Sequence, residues 1–211
     1  MHIVDGALSA PVVIAGSAVA VGGIALGLRS LSLEKIPAAG VLSATFFVAA
    51  LVHVPIGPSS VHLIMNGLAG LVLGWAAFPA LFVGLLLQAV FFGFGGVTVL
   101  GVNTVNIALP AVLVGLLFRR GAASADGRVA ALSGLLAGSL AIVLTALTVA
   151  LVLWLSGDEF LAAAKLVVLA HLPVAVIEGL ICAAAVTLIH RVKPDLFDAL
   201  TPPPSASARP A

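Results

Sequence analysis

Long apolar runs separated by short polar segments dominate this chain of 211 residues. Hydrophobic residues make up 62% of the sequence and charged residues only 8%, whereas a soluble domain carries about 25% charged residues. Several runs reach the roughly 17–25 residues that cross a bilayer as a helix. We therefore expect an all-α integral membrane protein. A net charge of only +1 gives no reason to expect a nucleic-acid partner.

Turn signals divide the apolar runs into about seven predicted transmembrane helices. The predicted spans are residues 11–28, 38–54, 61–77, 79–93, 104–118, 129–155 and 165–190. A tight turn at Phe78-Pro79 is expected to join the third span to the fourth. We predict one membrane-embedded metal-binding domain over residues 1–195. A disordered cytoplasmic tail rich in Pro, Ser and Ala is expected over residues 196–211.

The basic residues predict how the chain is oriented. If seven spans alternate, Lys165 faces one side and the other basic residues face the opposite side: Arg29, Lys35, Arg119, Arg120, Arg128, Arg191, Lys193 and Arg209. Loops rich in Lys and Arg stay in the cytoplasm. We therefore expect the amino terminus outside and the carboxyl terminus in the cytoplasm. The protein is expected to reside in the inner (plasma) membrane. Because the first residues lack the positive charge of a signal peptide, we expect them to be retained.

The histidines suggest a metal site at the outer face, where His2, His53, His62 and His171 map, whereas His190 maps to the inner face. A free α-amine of Met1, the backbone nitrogen of His2 and its Nδ1 can close two fused chelate rings in one plane. Planar nitrogen donors suit Ni(II) and Cu(II), and low-spin Co(II) accepts the same plane. His62 is the preferred fourth ligand, and His53 is the alternative.

Four stretches of the sequence carry a resemblance to a known family: MHIVDGALS, GPSSVHLIMNG, GFGGVTVLGVNTVNIALP and HLPVAVIEG. They resemble the CbiM/NikM family, the substrate-binding membrane components of energy-coupling-factor importers for cobalt and nickel. The resemblance implies a seven-helix fold whose amino terminus inserts into the core from outside. It also implies metal ligation by Met1, His2 and His62. Val4 stands where the family often has Pro, and GPSSVH where it often has GGTSGH.

The family resemblance also implies partners for this chain. These are a transmembrane coupling subunit, ATP-binding cassette ATPase subunits and a small accessory membrane subunit, all within membrane lipid. The sequence has no G-x-x-x-x-G-K-[ST] phosphate loop, so ATP hydrolysis would come from the separate subunits. The chain itself is then a transport subunit and not an enzyme. It would need no catalytic cofactor, and the metal ion would be its cargo.

Five further polar residues are candidates for positioning the ligands. Asp5 is expected either to hydrogen-bond the distal nitrogen of His2 or His62, or to cap the first helix. Asn103 and Asn106 share a helix face and either support the loop that carries His62 or join helices. His171 and Glu178 share a face of the last span, where Glu178 either supports the site or forms a proton relay with a histidine.

Some apolar-span residues have simpler expected roles. Gln88 is expected to bond to a neighbouring helix, and Gly93, Gly95 and Gly96 to form a mobile lid or a packed turn. Pairs of small residues four apart in the first span permit close helix packing, either internally or against the coupling subunit. These pairs are Gly16 with Ala20, Ala18 with Gly22, and Gly23 with Gly27.

Four functions are consistent with these features. Capture of Co(II) for an ATP-driven importer that serves cobalamin biosynthesis is preferred, and a nickel-specific subunit of the same family is the first alternative. A proton-coupled secondary transporter that uses Glu178 and His171 ranks below both, since such carriers usually show internal repeats. An intramembrane metallo-enzyme ranks last, because a closed planar ligand set leaves no open coordination position.

Overall fold

A computed structural model describes residues 2–51, 53–193 and 196 of the chain. Within these residues the chain forms seven α-helices and one β-hairpin. They are α1 (Ala10–Ser30), α2 (Ile36–Ala49), β1 (His53–Ile56), β2 (Ser59–His62), α3 (Asn66–Leu73), α4 (Ala77–Phe92), α5 (Leu100–Ala122), α6 (Gly127–Ser156) and α7 (Leu161–Val192). Most of the predicted tail, residues 197–211, lies outside the described residues.

Five helical segments have the length and apolar composition needed to cross a membrane, although the second consists of α3 and α4, which run in opposite directions. These are Ala10–Ser30, Asn66–Phe92, Leu100–Ala122, Gly127–Ser156 and Asp158–Val192. Large apolar side chains such as Ile14, Leu117 and Leu188 are exposed on the outside of the bundle, as lipid contact requires. The expected helical membrane fold therefore holds, with one hairpin added. The outward placement of the amino terminus stays a prediction.

The segment Asn66–Phe92 reverses its direction between α3 and α4. On α5, Ile107 accepts a hydrogen bond from Asn66, and the backbone of Ala111 packs on Gly70, so α3 runs alongside α5. The chain then turns at Gly74, whose φ of 57° is left-handed and favours glycine. From there α4 runs back along the bundle to Gln88, which contacts His2.

The predicted turn at Phe78-Pro79 is wrong, because both residues lie in the first turn of α4. Proline is favoured there, since the N–H it lacks would have no partner within the helix. Phe78 packs on Gly23 of α1 so closely that a Cβ on this glycine would overlap the ring. Pro79 packs in the same way on Gly27. Two of the small residues predicted on the first span therefore serve internal packing.

Residues 53–62 form an antiparallel hairpin that replaces the predicted ends of two helices. The second helix ends at Ala49 instead of residue 54, and the third begins at Asn66 instead of residue 61. Gly57 and Pro58 form the two-residue turn, and Gly57 has a φ of 52°. A positive φ followed by proline matches the II′ turn that suits a hairpin. The hairpin places His53 directly opposite His62.

Helices α6 and α7 pack closely through small residues. A Cβ on Gly138 would lie 2.6 Å from the carbonyl oxygen of Glu178 and 2.8 Å from Cβ of Cys182. Ser139 donates a hydrogen bond to the carbonyl of Ala175 at 2.9 Å. Cys182 is buried in this contact as a small packing residue. This close packing fixes the position of Glu178 along the length of the helix bundle.

Candidate metal site

The amino-terminal segment lies buried among three distant parts of the chain. His2 is 4% exposed and Ile3 is 0% exposed. The side chain of Asn103 on α5 accepts a hydrogen bond from the N–H of Ile3 and donates one to its carbonyl, both at 3.0 Å. The N–H of Val4 donates to the carbonyl of Pro58 at 3.1 Å, in the turn of the hairpin. These contacts hold the first residues against both α5 and the hairpin.

Two histidines predicted as ligands meet at the end of this segment. The imidazole rings of His2 and His62 are stacked, with centroids 4.6 Å apart and an interplanar angle of 24°. His62, on β2, is only 3% exposed. The chain thus joins residues that are sixty positions apart in sequence. The third predicted ligand, the amine of Met1, lies outside the described residues.

A contact with Gln88 determines the tautomer of His2. Nε2 of His2 lies 2.6 Å from Oε1 of Gln88. The amide nitrogen of Gln88 donates to the carbonyls of Phe46 and Phe47 on α2, at 3.3 and 3.2 Å, which fixes the amide orientation. Because an amide oxygen only accepts, Nε2 of His2 must carry the proton. The lone pair of His2 is then on Nδ1, the atom that the proposed chelate requires.

A backbone contact determines the tautomer of His62 in the same way. Nδ1 of His62 lies 2.8 Å from the carbonyl oxygen of Leu63, so Nδ1 carries the proton. The remaining nitrogen, Nε2, is buried and has no hydrogen-bond partner among the described residues. A buried nitrogen with a free lone pair is costly unless something binds it. Metal ligation would use this atom.

Burial keeps both imidazoles neutral. Removal from water lowers the pKa of His2 from 6.5 to about 3, although the hydrogen bond that His2 donates to Gln88 opposes the shift. Burial likewise holds the pKa of His62 well below its usual range. Neutral imidazole is the form that binds a metal ion. The two rings therefore need release no proton to act as ligands at neutral pH.

Glu178 supports the chain immediately after His62. Its carboxylate accepts hydrogen bonds from the N–H groups of Ile64 and Met65, the latter at 2.9 and 3.0 Å from the two oxygens. Met65 has a left-handed φ of 58°, which costs a residue with a Cβ about 1–2 kcal/mol. The carboxylate stabilises this strained link between β2 and α3. Glu178 hydrogen-bonds neither His62 nor His171, so the proton relay, the alternative to a supporting role, has no direct contact among the described residues.

Asp5 takes neither of its two expected roles. Its Oδ1 accepts hydrogen bonds from the N–H and the hydroxyl of Thr98, at 3.2 and 2.5 Å. Ser9, four residues later, precedes α1 as its cap residue. The reason is the course of the segment after His2, which carries Asp5 towards the 93–99 connection. Asp5 therefore joins the amino-terminal segment to the residues before α5.

The glycines of that connection pack against the same segment. The carbonyl of Gly95 accepts a hydrogen bond from the N–H of Asp5 at 2.8 Å. A Cβ on Gly95 would lie 2.9 Å from Nδ2 of Asn103 and 3.3 Å from Cβ of His2, and its φ of 78° is left-handed. Gly96, with a φ of 129°, would place a Cβ inside the Asp5 carboxylate. These features favour the packed-turn alternative over a mobile lid.

Two other predicted residues have buried polar atoms without a partner among the described residues. His171 donates from Nδ1 to the carbonyl of Val167 at 2.6 Å, and its Nε2 has no partner among the described residues. Nδ2 of Asn106 is also buried and unpartnered there. Asn106 therefore does not hold the amino-terminal segment as Asn103 does.

Sequence reasoning missed the most direct positioning contact, from Gln88 to His2. It predicted only the contact of Gln88 with a neighbouring helix, which the carbonyls of Phe46 and Phe47 provide. An amide inside an otherwise apolar span was the available signal. No group of three or more His, Cys, Asp or Glu side chains converges in the described part of the chain.

Comparisons with known proteins show which family the chain resembles. The family model described as "Cobalt uptake substrate-specific transmembrane region" matches residues 2–196. A protein of Haemophilus influenzae named "Putative metal transport protein" is 42% identical over 200 residues, which cover 94% of this chain and 97% of that protein. The "Fused nickel transport protein NikMN" of Rhodobacter capsulatus is 39% identical over 113 residues, which cover 51% of this chain and 33% of that protein.

The solved structures include a similar fold. One described as a truncated transition metal transporter superposes with a TM-score of 0.72 at 27% identity, covering 90% of this chain and 99% of that one. The family model spans residues 2–196 and so includes both histidines, and these matches confirm the family resemblance seen in the sequence. The chain belongs to the CbiM family and is a membrane-embedded cobalt or nickel transport component.

Proposed function

We propose that this chain captures Co(II) for an ATP-driven importer and binds it through its amino terminus and two histidines. The stacked pair of His2 and His62 is the observation that carries this proposal. Both rings are neutral, and hydrogen bonds direct the lone pairs to Nδ1 of His2 and Nε2 of His62. The amine of Met1 and the backbone nitrogen of His2 would complete four nitrogen donors.

The donor chemistry supports a transition metal as the cargo. Imidazole, amine and amide nitrogens in one plane suit Ni(II) and Cu(II), and low-spin Co(II) accepts the same geometry. They do not suit Mg²⁺ or Ca²⁺, which prefer oxygen ligands. The description of the matching family names cobalt, and one relative is named for nickel transport. We propose cobalt as the physiological cargo, for cobalamin biosynthesis, with nickel as the alternative.

We propose that separate subunits supply the energy and that the complex resides in the inner membrane. The chain lacks a phosphate-binding loop, so ATP-binding cassette subunits would act through a transmembrane coupling subunit, with a small accessory subunit beside them. Ala18 and Gly22 are exposed on α1 and offer a close-packing face for the coupling subunit. The glycines on the other side of α1 are used internally.

Metal binding by purified variants tests the ligand assignment. The full chain in detergent is titrated with Co²⁺ and Ni²⁺ by calorimetry. We expect one ion per chain for the native protein and none for His2→Ala or His62→Ala. His190→Ala, whose ring contacts the distant carbonyl of Ala122, is the matched control and should bind normally. Full metal occupancy in His62→Ala would refute the assignment of His62 as a metal ligand.

Metal content decides between cobalt and nickel. The complete complex is purified from cells grown with equal cobalt and nickel, and its metals are measured by mass spectrometry. We expect cobalt in excess. Nickel in excess would replace cobalt as the cargo while leaving the ligand assignment intact.

A further inference from the structure

An open cavity lies beside His2 and the hairpin that carries His62. It has a volume of about 190 Å³, and its lining includes His2, His53, Ser59 and Phe94. A water molecule occupies about 30 Å³ in the liquid, so the cavity holds several waters. This space is large enough for a metal ion that still carries part of its hydration shell.

His53 stands at the rim of this cavity. It is half-buried, and its ring meets Phe94 edge-on with centroids 4.4 Å apart. Phe94 in turn lies 6.0 Å from the ring of His2. The four rings of His53, Phe94, His2 and His62 therefore form a continuous row from the cavity rim to the buried pair.

His53 has a nitrogen available for a ligand. Its Nδ1 lies 3.4 Å from the carbonyl oxygen of Leu51 and donates to it. The lone pair is then on Nε2, the usual donor atom of imidazole towards a divalent transition metal. Unlike His62, His53 lines the cavity, and it is more exposed than either His2 or His62.

Ser59 provides a second, independent indication of a ligand in this cavity. The residue is 4% exposed, and its Oγ has no hydrogen-bond partner among the described residues. A buried hydroxyl without a partner costs stability, and a metal-bound water could supply the missing partner. Ser59 and His53 both line the cavity, on opposite strands of the hairpin.

We propose that His53 and Ser59 form an outer capture site for a hydrated divalent transition-metal ion on its way to His2 and His62. His53 replaces one water of the ion through Nε2, and Ser59 hydrogen-bonds a water that remains. The ion then exchanges these ligands for the nitrogen donors of the buried site. This inference rests on the proposed function, because it assumes that the buried pair is the destination.

A transient ligand has a kinetic signature that a ligand of the final site lacks. An interaction made only on the path lowers the barrier in both directions, so its loss slows binding and release by the same factor. The equilibrium affinity then stays unchanged. Loss of a final ligand instead speeds release and weakens affinity.

Stopped-flow mixing of the metal-free full-length protein with Ni²⁺ tests the proposal through the absorbance of the planar nickel complex. We compare the native protein with His53→Ala and His53→Phe, and Val54→Ala on the same strand is the control. His53→Phe keeps an aromatic contact with Phe94 but has no nitrogen donor. We expect both His53 variants to bind about tenfold more slowly, within the range that association rates span among mutants of one site. Their dissociation rates should fall equally.

The outcomes separate this proposal from the proposed function. A His53→Phe variant that binds as fast as the native protein would overturn the capture role and assign His53 to packing. Faster release, or a complete loss of binding, in both His53 variants would also overturn it, by making His53 a ligand of the final site. Normal nickel binding by His62→Ala would instead refute the proposed function, whatever the behaviour of His53.

Discussion

The amide oxygen of Gln88 lies 2.6 Å from Nε2 of His2, and this contact leaves Nδ1 of His2 as the nitrogen able to bind a metal ion. Gln88 contributes no donor atom to the proposed site. It acts by holding the ring of His2 in one tautomer and one orientation, while α2 holds Gln88. Metal-binding histidines commonly depend on such a partner for their affinity.

Replacement of Gln88 should weaken metal binding without removing it. Loss of a partner that orients a ligand typically costs about 10–100-fold in affinity, and we expect this range for Gln88→Leu. Gln88→Glu keeps an oxygen acceptor for His2 and should bind metal more tightly than Gln88→Leu. Calorimetric titration of both variants with Ni²⁺ measures the difference. Native affinity in Gln88→Leu would show that the chelate alone orients His2.

Replacement of Glu178 should destabilise the protein, because the strained link after His62 loses its hydrogen-bond acceptor. Glu178→Ala leaves the N–H groups of Ile64 and Met65 without their acceptor, and each unsatisfied buried group costs about 1–3 kcal/mol. Glu178→Gln retains one acceptor oxygen and should be destabilised less. Thermal unfolding in detergent ranks the three proteins. An unchanged melting temperature for Glu178→Ala would mean that water replaces the carboxylate.

Acidification should destabilise the metal-free protein. The pKa of His2 is lowered to about 3 and that of His62 is also lowered, so below pH 6.5 the unfolded chain binds protons that the folded protein does not. Their stabilising contribution is complete above pH 6.5 and is lost as the pH falls, by at most about 1.4 kcal/mol per pH unit for each histidine. Thermal unfolding between pH 7.5 and 5 should show this loss. A His2→Asn, His62→Asn double variant should show a flatter profile, and equal slopes would contradict the prediction.

Bulky residues on the exposed side of α1 should disrupt assembly and leave metal binding unchanged. Gly22 has no atom within 4 Å of an added Cβ, and Ala18 is exposed beside it. We expect Ala18→Leu and Gly22→Leu to prevent copurification of the coupling subunits while the isolated chain still binds Ni²⁺. Gly23→Leu, which would collide with Phe78, should instead destabilise the isolated chain. A complex that purifies intact with both outward substitutions would exclude this face as the contact.

An extension ahead of Met1 should eliminate uptake. It would convert the proposed ligating amine into an amide, and it would add bulk where His2 and Ile3 are already buried. A tag placed after Ala211 should have no effect. Uptake of radioactive cobalt is measured in cells that carry either tagged protein, and mass spectrometry verifies that the extension is still attached. Normal uptake by the extended protein would exclude the terminal amine as a ligand.

The sequence predicted the helices better than the connections between them. Long apolar segments such as Gly127–Ser156 were visible because membrane helices must be continuously apolar. The hairpin of residues 53–62 was missed because its apolar residues continue those of the flanking helices. The turn was placed at Pro79 because proline often interrupts a helix, although it is equally suited to a first helical turn.

For the metal site, the candidate ligands could be predicted from the sequence, but the residues that position them could not. His2 and His62 were predicted from the chelating chemistry of residue 2 together with a family resemblance. The contacts that position them were not predictable, since Gln88 is 86 residues from His2 and Glu178 is 113 residues from Met65. Asp5 illustrates the same limit, because its partner Thr98 was determined by the course of a loop. Such pairs depend on how helices are placed together, for which the local sequence carries no pattern.

Both proposed ligand histidines lie outside the helices that are long enough to span a membrane. His2 precedes α1 and His62 ends a strand of the hairpin. Neither residue therefore lies in a segment that has to be apolar in order to contact lipid. We therefore expect substitutions in these two short segments to affect the proposed metal site without changing how the protein inserts into the bilayer. A library that varies only residues 3–8 and 53–61 would sample new cargo selectivity on a constant membrane scaffold.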